Sequence, residues 1–379
     1  MLLKDLSINN KGYYGIGASS CSFNCNFPQY LRITDIDDFG FVNNLNCSIN
    51  PNEYPDYNKY FLSKYDIVFA RTGNSAGRNY MYLGDEKKVV FAGFLIKFSI
   101  DPDKVNPLYV KYFCQSNKYW NNIQEIFTGS TRPNINEKTF SMLDIPLVSA
   151  ELQQHIVDII GSIDDKIENN NKIIEKSYEL LDLRMKKLMI GKSKKIISDF
   201  KEIEIIGSGI NKFDREKIYL DTSCVAGNSI IDTSYNVSYN ERPSRANMQP
   251  IINSVWFAKL KNSPKHIIVK DYSNEILNNY VFSTGFMGIK MPEEKFDLLA
   301  IYFISDIFDK EKDSLSIGAT MQSINNNTFK NMYIPKFIEN DYKEFNDISN
   351  DILKAIYSME LENYKLNKLK QLYLKKFFG

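Results

Sequence analysis

The sequence is poor in histidine, in paired cysteine, in long apolar runs and in surplus charge, and each shortage closes a class of function. Its 379 residues include two histidines, His155 and His266, in different halves of the chain and with no evident nucleophile partner. Hydrolysis by a nucleophile and its histidine base therefore lacks its parts. The five cysteines, Cys21, Cys25, Cys47, Cys114 and Cys224, are odd in number and scattered. That pattern suits free thiols in a reducing compartment better than a disulfide framework. Cys21, Cys25 and Cys47, with no histidine close by, do not make a metal-ligand spacing. No run of about 18 apolar residues occurs, and the opening MLLKDLSINNKG has no apolar leader. No membrane span or secretion is expected, and the chain is placed in the cytoplasm.

Catalytic and cofactor motifs are equally scarce. GNSAGR lacks the Gly-Lys-Ser/Thr ending of a phosphate loop. NPLY at 106–109 is better read as a helix start, with Asn106 as cap and Pro107 in the first helical position. Pro55-Asp56 with Lys59, and Pro102-Asp103-Lys104, lack the second carboxylate that metal-assisted hydrolysis needs. No cofactor or metal site is expected in this chain.

The formal charge is only +1, without the basic surplus that phosphate binding leaves, but the basic residues are grouped. Residues 184–195 carry six with no acid, and 365–379 carry five with no acid. Either these are solvated helix ends complementing a C-terminal dipole or they meet phosphates. Hydrophobic residues at 43% and aromatics at 13% suffice for a globular core.

What the chain does have is a phrase written twice. GSTRPNINEKTFSMLDIP at 129–146 returns as GATMQSINNNTFKNMYIP at 318–335, an offset of 189 residues, half the length of the chain. Tyr30-Leu31 falls on Tyr219-Leu220 at the same offset, and Phe69-Ala70-Arg71 on Phe257-Ala258-Lys259 at 188. So long a period marks two tandem copies of a domain, not a solenoid.

Each copy divides by periodicity. Ile156, Ile160, Ile163, Ile167, Asn170, Ile174, Leu181 and Leu188 follow a 4-3 spacing, as do Phe345, Ile348, Ile352, Met359, Leu366, Leu369 and Tyr373. Two long helices with coiled-coil faces are expected, pairing antiparallel if a pseudo-twofold relates the copies, with Asn170 fixing register. Before them, YDIVFART (65–72), KVVFAGFLIKFSI (88–100) and NSVWFAKL (253–260) read as strands. The fold class is mixed α/β (α+β). The expected boundaries are 1–149 for a first domain, 150–192 for its helix, 193–338 for a second domain and 339–379 for the second helix.

YDIVFARTGNSAG, GSTRPNINEKTFSMLDIPLV and ELQQHIVDIIGSIDDKIENNNKIIEKSYELL in the first copy carry a resemblance. So do YNERPSRANMQP, NSVWFAKLKNSPKHI and SIGATMQSINNNTFKNMYIP in the second. In these the chain resembles, over essentially its whole length, the specificity subunit of type I restriction-modification systems. The resemblance implies two target-recognition domains, each reading half of a bipartite sequence in double-stranded DNA. It also implies helical spacers that dock two methyltransferase subunits and, through them, restriction subunits. S-adenosylmethionine would then belong to the methyltransferase, ATP and Mg to the restriction partner, and no catalysis to this chain. The second helix lacks the Gln-Gln entry of the first, a departure from symmetry.

Reading bases takes Arg or Lys for guanine and Asn or Gln for adenine. In the first domain such groups are Arg71, Asn74, Ser75, Arg78, Arg132 and Asn134. In the second they are Arg242, Ser244, Arg245, Asn247, Gln249, Lys259, Lys261 and Gln322. The competing reading is a coiled-coil scaffold with two β-rich binding domains and no DNA role; indifference to DNA would favour it.

Overall fold

The computed structural model describes residues 1–42, 45–84, 88–127, 134–231, 235–318 and 321–379. They form two compact units, Met1–Ile167 with Lys365–Gly379, and Glu168–Tyr364.

In the first unit the strand Asp66–Ala70 is buried along its whole length. Its side chains alternate between two faces, as a strand requires. Ile67 and Phe69 join one core with Tyr109, Phe113, Tyr119 and Ile123 of the helices Pro107–Phe113 and Asn117–Phe127. Val68 and Ala70 join another with Leu31 and Phe91 of a second sheet. A strand covered on both faces reads as an unbroken apolar run, which is why DIVFA shows no alternation. Burying a side chain such as Phe69 contributes about 2–3 kcal/mol. The first sheet is antiparallel, in the order Tyr13–Tyr14, Leu95–Ser99, Asp66–Ala70, Asn79–Tyr82. The second contains a parallel pair, Gln29–Leu31 beside Val89–Phe91.

The second unit repeats this plan. Ser254–Ala258 is its central strand, between Phe286–Lys290 and His266–Val269. Val255 and Phe257 face the helical core, while Trp256 and Ala258 face Leu220 and Phe282. The parallel pair recurs as Lys217–Leu220 beside Tyr280–Ser283. The Asn106 side chain caps the helix starting at Pro107, accepting from Leu108 N at 3.0 Å, as the sequence predicts.

The long helices are Ala150–Met189 and Glu339–Phe378, 40 residues each and offset by 189. Within the first unit Ile156 and Ile160 share a core with Leu374 and Phe378, and Asp164 meets Lys370 at 2.6 Å. Within the second, Ile174 and Leu181 share a core with Leu353 and Ile356. There Asn170 Nδ2 donates to Glu362 at 2.8 Å and to Asn363 at 2.9 Å. In both units residue numbers rise along one helix as they fall along the other, so the pairing is antiparallel. The first-helix seam is buried as expected: Ile163 and Ile167 are covered, and Leu188 packs against the core.

The second helix requires a correction. Phe345 is buried, and Ile352, Met359 and Tyr373 pack partly against cores, with Leu366 half-buried. Ile348 and Leu369, however, are 40% and 41% exposed. Their places in the seam are taken by Ser349 and Lys370, with Asn363 between, all buried. Each has a polar partner: Ser349 Oγ donates to Asp297 at 2.7 Å and Asn363 Nδ2 to Asn171 at 2.8 Å. A pattern search that follows apolar letters slides off such a seam onto the flanking residues.

Candidate nucleic-acid interface

Both units run the end of the central strand against the repeated phrase, with the same backbone bonds. Arg71 N donates to Phe94 O at 3.0 Å, Arg71 O accepts from Ile135 N at 2.8 Å, and Thr72 bridges Asn134. In the second unit Lys259 N donates to Gly285 O at 3.0 Å, Lys259 O accepts from Ile324 N at 3.0 Å, and Leu260 bridges Ser323. One cation per unit is thus fixed at an equivalent strand end. Immediately after it in the phrase, Asn136 and Asn325 cap a short helix, accepting from Thr139 N at 2.9 Å and Thr328 N at 3.0 Å. These recurrent letters hold backbone, which explains why they are kept while their neighbours change.

The side chains around the two cations differ. Arg71 lies 5.0 Å from the Tyr14 ring and its Nη2 donates to Asn134 Oδ1 at 3.1 Å. Tyr14 is held in turn by Glu137 N, which donates to its hydroxyl at 3.0 Å, and Glu137 accepts from Gly12 N at 2.8 Å. Arg71 Nε is buried with no acceptor among the described residues. Asn74 is exposed and Ser75 half-buried, on a turn that starts at Gly73 with φ +67. Arg78 is engaged elsewhere: its Nε and Nη2 form a fork on Asp38 at 2.7 and 3.2 Å, and Nη1 donates to Ile36 O at 3.2 Å. Arg132 lies outside the described residues.

In the second unit Arg245 and Lys259 are neighbours. A Cβ placed on Gly285 would meet the Arg245 guanidinium at 3.0 Å, and Gly285 O is the acceptor of Lys259 N. Burial, and then the Arg245 charge, hold the Lys259 ammonium below the ordinary lysine range. Two cations so placed make a local positive potential that favours an anion. Lys261 and Gln322 are exposed beside them, joined by Lys261 N donating to Gln322 O at 2.9 Å, and Ser244 is exposed next to Arg245. Arg242 serves its own turn, 4.3 Å from the Tyr239 ring and bonded to Tyr239 O and to Ala246 O. Asn247 Oδ1 lies 3.5 Å from Arg242, and Gln249 donates to Pro250 O at 3.4 Å.

The structure therefore gathers Arg71 with Asn134 in one unit, and Arg245, Lys259, Lys261 and Gln322 in the other. Chemically each group offers cationic forks and amides suited to phosphate oxygens or to the O6 and N7 edge of guanine. Tyr14 escapes sequence reading because only the pairing of Tyr13 and Tyr14 with Lys97 and Ile96 carries it to Arg71.

The basic stretch 184–195, which spans the end of the first long helix, is partly paired within the second unit. Lys186 pairs with Asp182 at 2.7 Å and Asp306 at 3.0 Å, and Lys192 with Asp341 at 2.5 Å. His266 sits between Asn228 at 3.0 Å and Asp309 at 3.2 Å, and His155 is exposed. No helix is long and apolar enough to cross a membrane, and no three metal-ligating side chains converge, among the described residues.

Residues 3–176 match the family described as the type I restriction modification DNA specificity domain. Over 157 residues the chain is 31% identical to the type I restriction enzyme HindI specificity subunit of Haemophilus influenzae. That match covers 39% of this chain and 33% of the relative, so the chain spans about a third of the length of the curated relative it matches. In fold, the chain is similar to the S subunit of a type I restriction-modification system from M. genitalium. The TM-score is 0.54 at 14% identity, covering 100% of this chain and 95% of that one.

Proposed function

We propose that this chain, whose residues 3–176 match the type I restriction modification DNA specificity domain, is the non-catalytic subunit that gives a modification complex its DNA sequence specificity. The observation that carries the reading is the pair of equivalent strand-end cations, Arg71 and Lys259, set by the same backbone bonds but among different neighbours. Equal scaffolds with unequal side chains suit a target of two unlike halves. Arg71 with Asn134 would address one half, and Arg245, Lys259, Lys261 and Gln322 the other.

Phosphate contacts fix register and base-edge contacts choose sequence, so both kinds belong at each surface. The paired helices would set the number of unread base pairs between the halves. In this account they also carry two methyltransferase subunits and, through them, restriction subunits. Base flipping and methyl transfer from S-adenosylmethionine belong to the methyltransferase. ATP and Mg belong to the restriction partner, and the assembly works in the cytoplasm.

Selection from a randomised duplex pool tests this, with the purified chain alone and with its co-expressed methyltransferase. A split motif with a fixed gap should be enriched, and binding should weaken steeply with salt. A pool that stays random while the chain is folded and assembled would defeat the reading.

A further inference from the structure

The second unit contains a cavity whose chemistry DNA recognition leaves unused. It measures about 80 Å³ and is walled by Tyr178, Tyr272, Tyr280, Tyr357 and Tyr364. Ile267, Ile276, Leu353 and Ile356 complete an apolar lining. The Tyr272 and Tyr357 rings stand 5.7 Å apart at 47°, two sides of an aromatic box.

One carboxylate, Glu360 of the second long helix, points into this box. It accepts from Ser229 Oγ at 2.9 Å, a neutral partner. The residue keeps some accessible surface on the cavity, but protein crowds its carboxyl group, and burial pushes it up to about 7. Burial also raises Tyr178, Tyr272 and Tyr357, and the Glu360 charge adds to the effect in each, so these walls are neutral phenols at physiological pH. Glu275 adds a second acid to the lining, and no Lys, Arg or His lines the cavity among the described residues. A cleft next to it shares Tyr178 and Asn228 and is edged by Glu179, Asp182 and Asp306, with Lys186.

We infer that this cavity binds a small organic cation of the alkylammonium class, with Glu360 as its counterion and the tyrosine rings as its walls. A cation over an aromatic face gains electrostatic attraction that grows as water is excluded. A buried carboxylate without a cationic partner is costly, and an ammonium group would remove that cost. Anions meet two acids here, and a neutral ligand leaves Glu360 uncompensated. At roughly 10–15 Å³ per water-sized group, the space takes about six heavy atoms. That is the size of butylammonium or 1,4-diaminobutane.

The groups facing Glu360 are the five phenols, Glu275 and Ser229, with His266 a layer behind, bonded to Asn228 Oδ1 at 3.0 Å. The test is calorimetric titration of the full chain with n-butylammonium and 1,4-diaminobutane, with 1-butanol as neutral control. Both amines should bind and raise the thermal midpoint while 1-butanol does neither. Affinity should fall about tenfold from pH 8 to pH 6 as Glu360 takes up its proton and the amines stay charged. Glu360→Gln should lose at least tenfold at pH 8, and most of the pH dependence with it. Tyr272→Leu should weaken the amines selectively. Equal binding of 1-butanol and butylammonium would overturn the inference, as would amine binding that ignores pH or survives Glu360→Gln within twofold.

Discussion

Removing the Asp164 carboxylate should damage the first unit far more than removing it together with its partner Lys370. Lys370 Nζ lies 2.6 Å from Asp164 Oδ1 and Lys111 Nζ 3.3 Å from Oδ2, with side-chain exposures of only 4% for Lys370 and 10% for Asp164. The Lys370 ammonium lies 5.0 Å from the Phe41 ring and 5.7 Å from the Tyr112 ring. Burial lowers the Lys370 pKa more than the Asp164 charge restores it. Both charges are taken out of water, and in such pairs attraction often does no more than offset that cost. Asp164→Asn strands a buried ammonium, and breaking such a pair costs about 3–5 kcal/mol. Lys370→Met leaves Asp164 with Lys111 and should cost about 1–2 kcal/mol. The double variant Asp164→Leu/Lys370→Met replaces this pair by apolar volume and leaves Lys111, 12% exposed in its side chain, to extend its ammonium to water, so it should lie within about 1 kcal/mol of the parent.

The chain supplies its own reporter, because its two tryptophans fall one in each unit. Trp120 packs against the first core and Trp256 is buried in the second. In a Trp256→Phe background, fluorescence-monitored urea unfolding follows the first unit. With a slope of about 2 kcal/mol per molar, Asp164→Asn should lower the midpoint by roughly 2 M and the double variant by less than about 0.5 M. A double variant as unstable as Asp164→Asn would refute the reasoning, because packing and not charge would then hold the seam.

Arg71→Ala should weaken specific DNA binding about 10- to 100-fold through one half-site and leave the urea midpoint unchanged, as gel-shift titration would show. Lys259→Ala should do the same for the other half-site, and swapping bases in one half of the target should identify which. Asn136→Ala and Asn325→Ala should each cost about 1 kcal/mol by denaturant unfolding, and equally, because both caps accept one backbone N–H at 2.9 and 3.0 Å. Glu360 is held above its unfolded value of 4.5, up to about 7, so its folded form favours the proton and stability falls as pH rises between those values. Glu360→Gln should therefore leave stability unchanged at pH 4 and raise it by about 1–3 kcal/mol at pH 8, cavity water reducing the effect.

The duplication was legible because it is written in backbone-setting letters. Asn136 and Asn325 cap, and Phe140 and Phe329 fill cores, so both copies keep them. The first long helix was legible for the same reason: the positions on its 4-3 spacing are mostly isoleucine and leucine, with Asn170, Ser177 and Arg184 as the polar steps. The second was only half legible, since Ser349, Asn363 and Lys370 are polar letters made buriable by partners that lie far off in sequence. Among the candidate DNA contacts the residue type was readable but its engagement was not. Arg78 and Arg71 spell the same chemistry, yet Asp38 takes the first, while Tyr14 and Asn134 flank the second. Arg242 likewise spends its guanidinium on the carbonyls of its own turn. For Arg71 and Arg78 the difference arises from pairings across tens of residues, which periodicity does not record.

Sequencing of methylated adenines in host DNA, with the gene present and deleted, tests the central claim most directly. The account predicts that deletion erases methylation at one bipartite motif, and that Arg71→Ala and Lys259→Ala each impair it through a different half. An unchanged methylation pattern, with the chain expressed and its methyltransferase partner active, would contradict it.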